Sequence, residues 1–184
     1  MSIINRVVLA RKGHGVTRCH ASPHLRGTTV GHHSAGVAAL VLAAYAPALP
    51  PSILLRACIL HDLPEQYTGD LPAMVKWDNP ELKNVLSRVE RTWWANTPYK
   101  ECPELPLSKD EHFIFKWADI MELTIDFLEQ LDEGNKAARF DAMRCVRHLE
   151  HHFRPRFGDS EVHRNMRRIF TVITNEVKHH AKSK

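Results

Sequence analysis

The chain has 184 residues, 43% of them hydrophobic and 25% charged, with a formal net charge of +4. That length and balance suit one globular unit with a sizeable core. Its longest apolar run, Gly36 to Pro47, falls short of the roughly 18 uncharged apolar residues of a membrane span. The N-terminus has no signal-peptide core. Cys19, Cys58, Cys102 and Cys145 form no CxxC pair, which disfavours a cysteine zinc site and a disulfide framework. The expected setting is therefore the cytoplasm, or the host cytoplasm for a viral chain. Charge is uneven, with residues 135–184 carrying 12 Lys/Arg against 5 Asp/Glu and residues 1–134 carrying 13 against 16.

Taken in chain order, the helical period dominates and no segment has the strict alternation of a half-buried strand. Gly13 to Gly27 is polar and glycine-containing, and reads as a structured loop. His33, Val37, Leu40, Val41 and Ala44 line one face of a first helix, ended by Pro50-Pro51. Ser52 opens a second, on which Leu54, Ala57, Cys58 and His61 share a face. Asn79-Pro80 gives an N-cap and a first-turn proline, leading into Leu82, Val85, Leu86, Val89 and Trp93. Ser108 and Glu111 make a capping box for a helix carrying Phe113, Trp117, Ile120, Met121 and Leu128, which stops at Gly134. Asn135 caps a helix with Ala142, Val146, Leu149 and Phe153. Ser160 opens the last, with Val162, Met166, Ile169, Ile173 and Val177. The expected fold is an all-α bundle of about six or seven helices forming a single domain over residues 1–184.

The chemistry concentrates in Cys58-Ile59-Leu60-His61-Asp62-Leu63-Pro64-Glu65. An ionisable pair ends an apolar run, and a buried carboxylate without a cation is costly. Imidazole with carboxylate suits a divalent transition metal. Neighbouring residues on a helix point about 100° apart, so His61 and Asp62 alone cannot surround an ion. His33, on an Ala/Val/Leu face, and Asp119, amid large apolar residues, are the candidates to complete it. Each alone has a plainer reading: His33 as a satisfied core residue, Asp119 as the partner of Lys116. Their order on separate helices carries the case. His33, His61, Asp62 and Asp119 leave positions open for water and a phosphate oxygen, as a catalytic site requires. Glu65, one helical turn beyond His61 and Asp62, stands where a general acid/base belongs.

The order His33, His61-Asp62, Asp119 resembles the H…HD…D signature of HD-domain phosphohydrolases. Thr28-Thr29-Val30-Gly31-His32-His33-Ser34, His61 through Pro72, and Lys116-Trp117-Ala118-Asp119 resemble the corresponding motifs of the 5′-deoxynucleotidase branch, over roughly residues 14–135. Helices 135–184 match only in being helical. The resemblance implies an HD-domain bundle with one divalent ion (cobalt, zinc, manganese or magnesium) on those four residues. It implies hydrolysis of a deoxynucleotide 5′-phosphoester by metal-bound water, with Glu65 as acid/base. It gives Arg18 to the phosphate, Asp70 to the sugar 3′-hydroxyl and Lys76 to a phosphate. The branch is similar to viral dATP triphosphohydrolases, so the substrate is a dNMP or a dNTP, with dATP leading. A homo-oligomer is implied as well, while the expectation of no membrane association rests on the apolar-run length above. Cys19 stands where the family usually has a large aromatic, Met74 where relatives often have proline, and His32 where Glu or Gln is common, which suggests a role for His32 behind the site. The competing readings are a cyclic-nucleotide or other small-ester phosphodiesterase and a non-catalytic nucleic-acid-binding module built on Arg164, Arg167 and Arg168.

Overall fold

The computed structural model describes residues 3–19, 25, 27–100, 102–104 and 106–182. Helix α1 spans Ile3–His14. A short antiparallel pair follows, β1 (Thr17–Arg18) and β2 (Thr28–Thr29), with Thr17 opposite Thr29 and Arg18 opposite Thr28. Then come α2 (Val30–Tyr45), α3 (Ser52–Leu60), α4 (Glu65–Thr68), α5 (Ala73–Asp78), α6 (Pro80–Ala95), α7 (Lys109–Asp132), α8 (Arg139–His152) and α9 (Glu161–Lys182). With α4 and α5 only four and six residues long, the longer helices match the all-α expectation. None of the described helices is long and apolar enough to cross a membrane.

The centre of the bundle is α7. Its capping box holds as expected: Ser108 Oγ accepts from the Glu111 N–H at 3.2 Å, and Glu111 Oε2 accepts from the Ser108 N–H at 2.7 Å. Beyond it, Phe115, Trp117, Ala118 and Met121 are fully buried. They pack with Val37, Val41 and Ala44 of α2, Leu54, Ala57 and Cys58 of α3, Leu149 of α8, and Met166 and Phe170 of α9. A second cluster joins Phe127 and Leu131 of α7 to Ala142, Cys145 and Val146 of α8 and Val177 of α9. Burial at full-side-chain scale contributes roughly 1.5–3 kcal/mol for each large apolar group, so the site elements α2, α3 and α7 rest on the most strongly held part of the fold.

Several local expectations change. The loop expected over Gly13 to Gly27 begins with the last turn of α1 and contains β1; residues 20–24 and 26 lie outside the described residues. Helix α1 has no buried apolar stripe for a periodicity to show: Ile3 is 81% and Ile4 59% exposed, and Ala10 packs only at the edge of a small cluster with Leu60, Leu63 and Trp94. It ends against the turn after α3: a Cβ on Gly13 would stand 2.5 Å from Leu63 Cδ2 and 3.2 Å from Leu63 Cα, and only glycine permits that approach. Helix α2 stops at Tyr45, ahead of Pro47 rather than at Pro50-Pro51. Asn79 makes no side-chain cap, because its Nδ2 donates back to the Val75 carbonyl at 2.9 Å. Asn135 likewise caps no helix; a 3-10 turn, Lys136–Ala138, precedes α8.

Candidate active site

Local structure aims each side chain. The Thr29 hydroxyl accepts from the His32 N–H and starts α2, which puts His33 in its first turn. The β1–β2 pair ties Arg18 to that same point. His61 closes α3 as its C-cap residue. Asp62 therefore lies in a tight turn, not inside a helix, and the chain re-enters a helix at Glu65, after Pro64. Pro64 has no N–H to donate, and the turn is instead held by Leu63 N–H to Leu60 O at 3.1 Å and Glu65 N–H to Asp62 O at 3.0 Å. Asp119 comes from the middle of α7.

Four ligand-type atoms meet there. His33 Nε2 lies 3.1 Å from Asp119 Oδ1 and 3.6 Å from Asp62 Oδ2. His61 Nε2 lies 3.2 Å from Asp62 Oδ2 and 3.7 Å from Asp119 Oδ1. The ligand atoms of His33, His61 and Asp62 all fall within 4.8 Å of one another. His61 Nδ1 donates to the Cys58 carbonyl at 3.0 Å, so in the neutral ring Nε2 carries the free lone pair. That Nε2 is buried without a hydrogen-bond partner among the described residues. Two imidazole nitrogens and two carboxylate oxygens at this spacing fit a divalent ion of the Zn, Co or Mn type.

The electrostatics agree. Burial opposes ionisation of Asp62, but His61 and Arg18 hold it well below the usual carboxylate range. Asp119 is held low against the same burial by the His33 and His61 imidazoles facing it, and by Lys116. Burial depresses His61, yet the two acids outweigh it and push the imidazole up to about 10. Without a metal the pocket thus draws in protons, which is the behaviour of a site shaped for positive charge.

Around this centre is a cavity of about 490 Å³, lined among others by Arg18, Glu65, Lys76, Trp77 and His148. The Arg18 guanidinium bonds Asp62 and stands 3.7 Å from Glu65 Oε2. Glu65 is 6% exposed, and Oε2 has no hydrogen-bond partner among the described residues. Burial first, and then the charge of Asp62, raise its carboxyl to about 9, while Arg18 and Lys76 pull the other way. Asp70 is buried, and its Oδ2 accepts from the Cys19 N–H at 2.6 Å. Lys76, on α5, lines the cavity.

His32 does not stand behind the site: it is exposed, and its Nδ1 lies 3.2 Å from Thr28 Oγ1. Cys19 and Met74, the two departures from the family pattern, are both buried in one apolar cluster. Arg167 donates to the carbonyls of Phe157 and Gly158 at 3.3 Å, and Arg168 lies 3.5 Å from Asn165, so these cations serve their own helix start. Sequence reasoning missed Glu122, whose Oε2 bonds His33 Nδ1, and Glu104, which pairs with Lys116 at 3.3 Å while Lys116 reaches Asp119 at 3.6 Å. The available signal was an acid one turn beyond Asp119 inside an apolar stretch.

The 5′-deoxynucleotidase YfbR-like family model matches residues 7–156. The 5′-deoxynucleotidase YfbR of Salmonella typhi is 29% identical over 162 residues, covering 82% of this chain and 78% of that protein. Among solved structures, the cyanophage S-2L HD phosphohydrolase DatZ, bound to dA and one catalytic Zn²⁺, superposes with a TM-score of 0.64 at 19% identity over 95% of this chain and 97% of its own. An HD-domain phosphohydrolase from Listeria innocua superposes with a TM-score of 0.63 at 17% identity over 95% and 99%.

Proposed function

Because the chain belongs to the YfbR-like 5′-deoxynucleotidase family, we propose that its cavity hydrolyses the 5′-phosphoester of a deoxynucleotide, with one divalent ion held by His33, His61, Asp62 and Asp119. It is an HD-type phosphohydrolase that acts on deoxynucleotides with a divalent metal. The observation that carries the site assignment is the convergence of His33 Nε2, His61 Nε2 and Asp62 within 4.8 Å, with Asp119 Oδ1 at 3.1 and 3.7 Å from the two imidazoles.

When bound, the ion supplies Lewis acidity toward a phosphoryl oxygen and lowers the pKa of water. The protein's own groups do the rest. Arg18 offers a buried guanidinium to the phosphate, exchanging its contact with Asp62 for a charge-assisted, bidentate one. Glu65, whose carboxyl burial and then the charge of Asp62 push up to about 9, stands in the cavity as the acid/base that serves the leaving 5′-oxygen. Asp70, oriented by the Cys19 N–H on its Oδ2, is the acid suited to a sugar hydroxyl. Lys76 adds positive charge at the cavity wall, suited to a phosphate.

The finer proposal concerns substrate and assembly. The dA held by the cyanophage neighbour favours adenine deoxynucleotides, with dATP and dAMP first. The exposed apolar residues Ile3, Ile4, Val7 and Val8 of α1 favour a homo-oligomer. The test is to incubate metal-loaded protein with dAMP, dATP and their ribo counterparts and to identify the products. Phosphate from dAMP or triphosphate from dATP is expected. No turnover of any deoxynucleotide with cobalt, manganese, zinc or magnesium would contradict the proposal.

A further inference from the structure

The two imidazoles of the site are backed differently. His61 Nδ1 donates to a neutral acceptor, the Cys58 carbonyl at 3.0 Å. His33 Nδ1 faces Oε2 of Glu122, a carboxylate in direct contact. Glu122 is 8% exposed and lies on α7 one turn after Asp119, so one helix face supplies both an acid of the site and an acid behind it. His33 Nε2 points the other way, to Asp119 and Asp62. The ring of His33 is thus clamped at both nitrogens by residues three apart on α7.

Room for this acid is made on α2. Gly36 lies three residues beyond His33, one helical turn along the same face. A Cβ there would stand 2.7 Å from Glu122 Cγ and 2.9 Å from Oε1, closer than real Cβ atoms come. Glycine in a helix interior is less favourable than alanine. The slot it opens admits one feature, the carboxylate against His33.

We propose that Glu122 is a positioning residue that fixes the His33 proton on Nδ1, frees the Nε2 lone pair for the divalent ion and raises the basicity of that nitrogen, with Gly36 as the opening that lets it do so. The physical basis is general: a ligating imidazole donates its second N–H to an acceptor that sets tautomer and ring angle, and loss of such a partner weakens metal affinity about 10–100-fold. A carboxylate does more than a carbonyl, because its charge stabilises the partly positive ring. Glu122 therefore acts through His33, and touches neither the phosphate nor the reacting water.

This inference rests on the metal site proposed above. The measurement is Zn²⁺ affinity of the full chain by competition with a chromophoric chelator, in the parent protein, Glu122→Gln and Gly36→Ala. Glu122→Gln keeps shape and loses charge, and is expected to bind Zn²⁺ about 10–100-fold more weakly. Gly36→Ala, which displaces the same side chain, shifts affinity in the same direction. Parent-like affinity in both variants overturns the role of Glu122 while leaving the metal site standing. A parent protein that takes up no Zn²⁺ overturns both. A second measurement needs no variant: imidazole ¹⁵N shifts of the Zn²⁺-loaded parent should put the His33 proton on Nδ1, and a proton on Nε2 overturns the assignment even if Glu122→Gln fails to fold.

Discussion

Glu65 is the residue on which the proposed chemistry turns, since it combines burial, a free oxygen and a raised proton affinity in one carboxyl. Glu65→Gln keeps the volume and removes the transferable proton. It is expected to lower kcat by about 10²–10⁴-fold while Zn²⁺ affinity stays near the parent value, because Glu65 is not one of the four groups proposed to hold the ion. Steady-state rates with dAMP and dATP, paired with the chelator titration, check both halves. At this scale no one of His33, His61, Asp62 and Asp119 was legible alone; what the sequence offered was their order along the chain, with His61-Asp62 ending an apolar run and Asp119 set amid large apolar residues. Glu122 was not legible: its meaning depends on a partner 89 residues away, and its slot depends on Gly36, which reads only as one more small residue in an Ala-rich helix.

At the level of elements, α5 and α8 close one wall of the cavity. Trp77 of α5 stacks on His148 of α8 with centroids 4.0 Å apart and planes 7° from parallel. Arg144, one turn earlier on α8, holds Asp78 at 2.7 Å. Burial, then His152 and the other nearby cations, lower the His148 imidazole to about 4 from an unfolded value of 6.5. The unfolded chain thus binds a proton that the folded chain refuses. Stability from this group is present above pH 6.5 and is lost as pH falls toward 4. His148→Phe keeps a ring against Trp77 and removes the titration, so its melting temperature should decline less than the parent's between those values. An equal decline in the two proteins would refute the assignment.

Element starts were partly legible. The Ser108 capping box is local, with donor and acceptor three residues apart, and it forms as read. Asn79 and Asn135 are the same type of signal, yet the local chain gives them other work: Asn79 bonds back four residues to Val75 at the end of α5, and Asn135 precedes a 3-10 turn. The β1–β2 pair, two residues long on each side, is too short for any periodicity to show.

For the whole molecule, the all-α bundle follows from the helical period, and α7 as its axis follows from the density of large apolar residues between Phe113 and Leu131, interrupted by Lys116, Asp119, Glu122, Asp126 and Glu129. What periodicity alone leaves open is how α2, the turn after α3, and α7 approach one another. Packing of Val37, Leu54, Ala57 and Trp117 in one cluster settles that, and it brings positions 33, 61, 62 and 119 to a single point. The ion we propose there would bridge three elements far apart in the chain. The direct test is an anomalous difference map from crystals grown with Zn²⁺ and collected on both sides of its absorption edge. One peak within bonding distance of His33 Nε2, His61 Nε2, Asp62 and Asp119 is expected. A map with no peak among those four atoms, or with Zn²⁺ only elsewhere, would contradict the account.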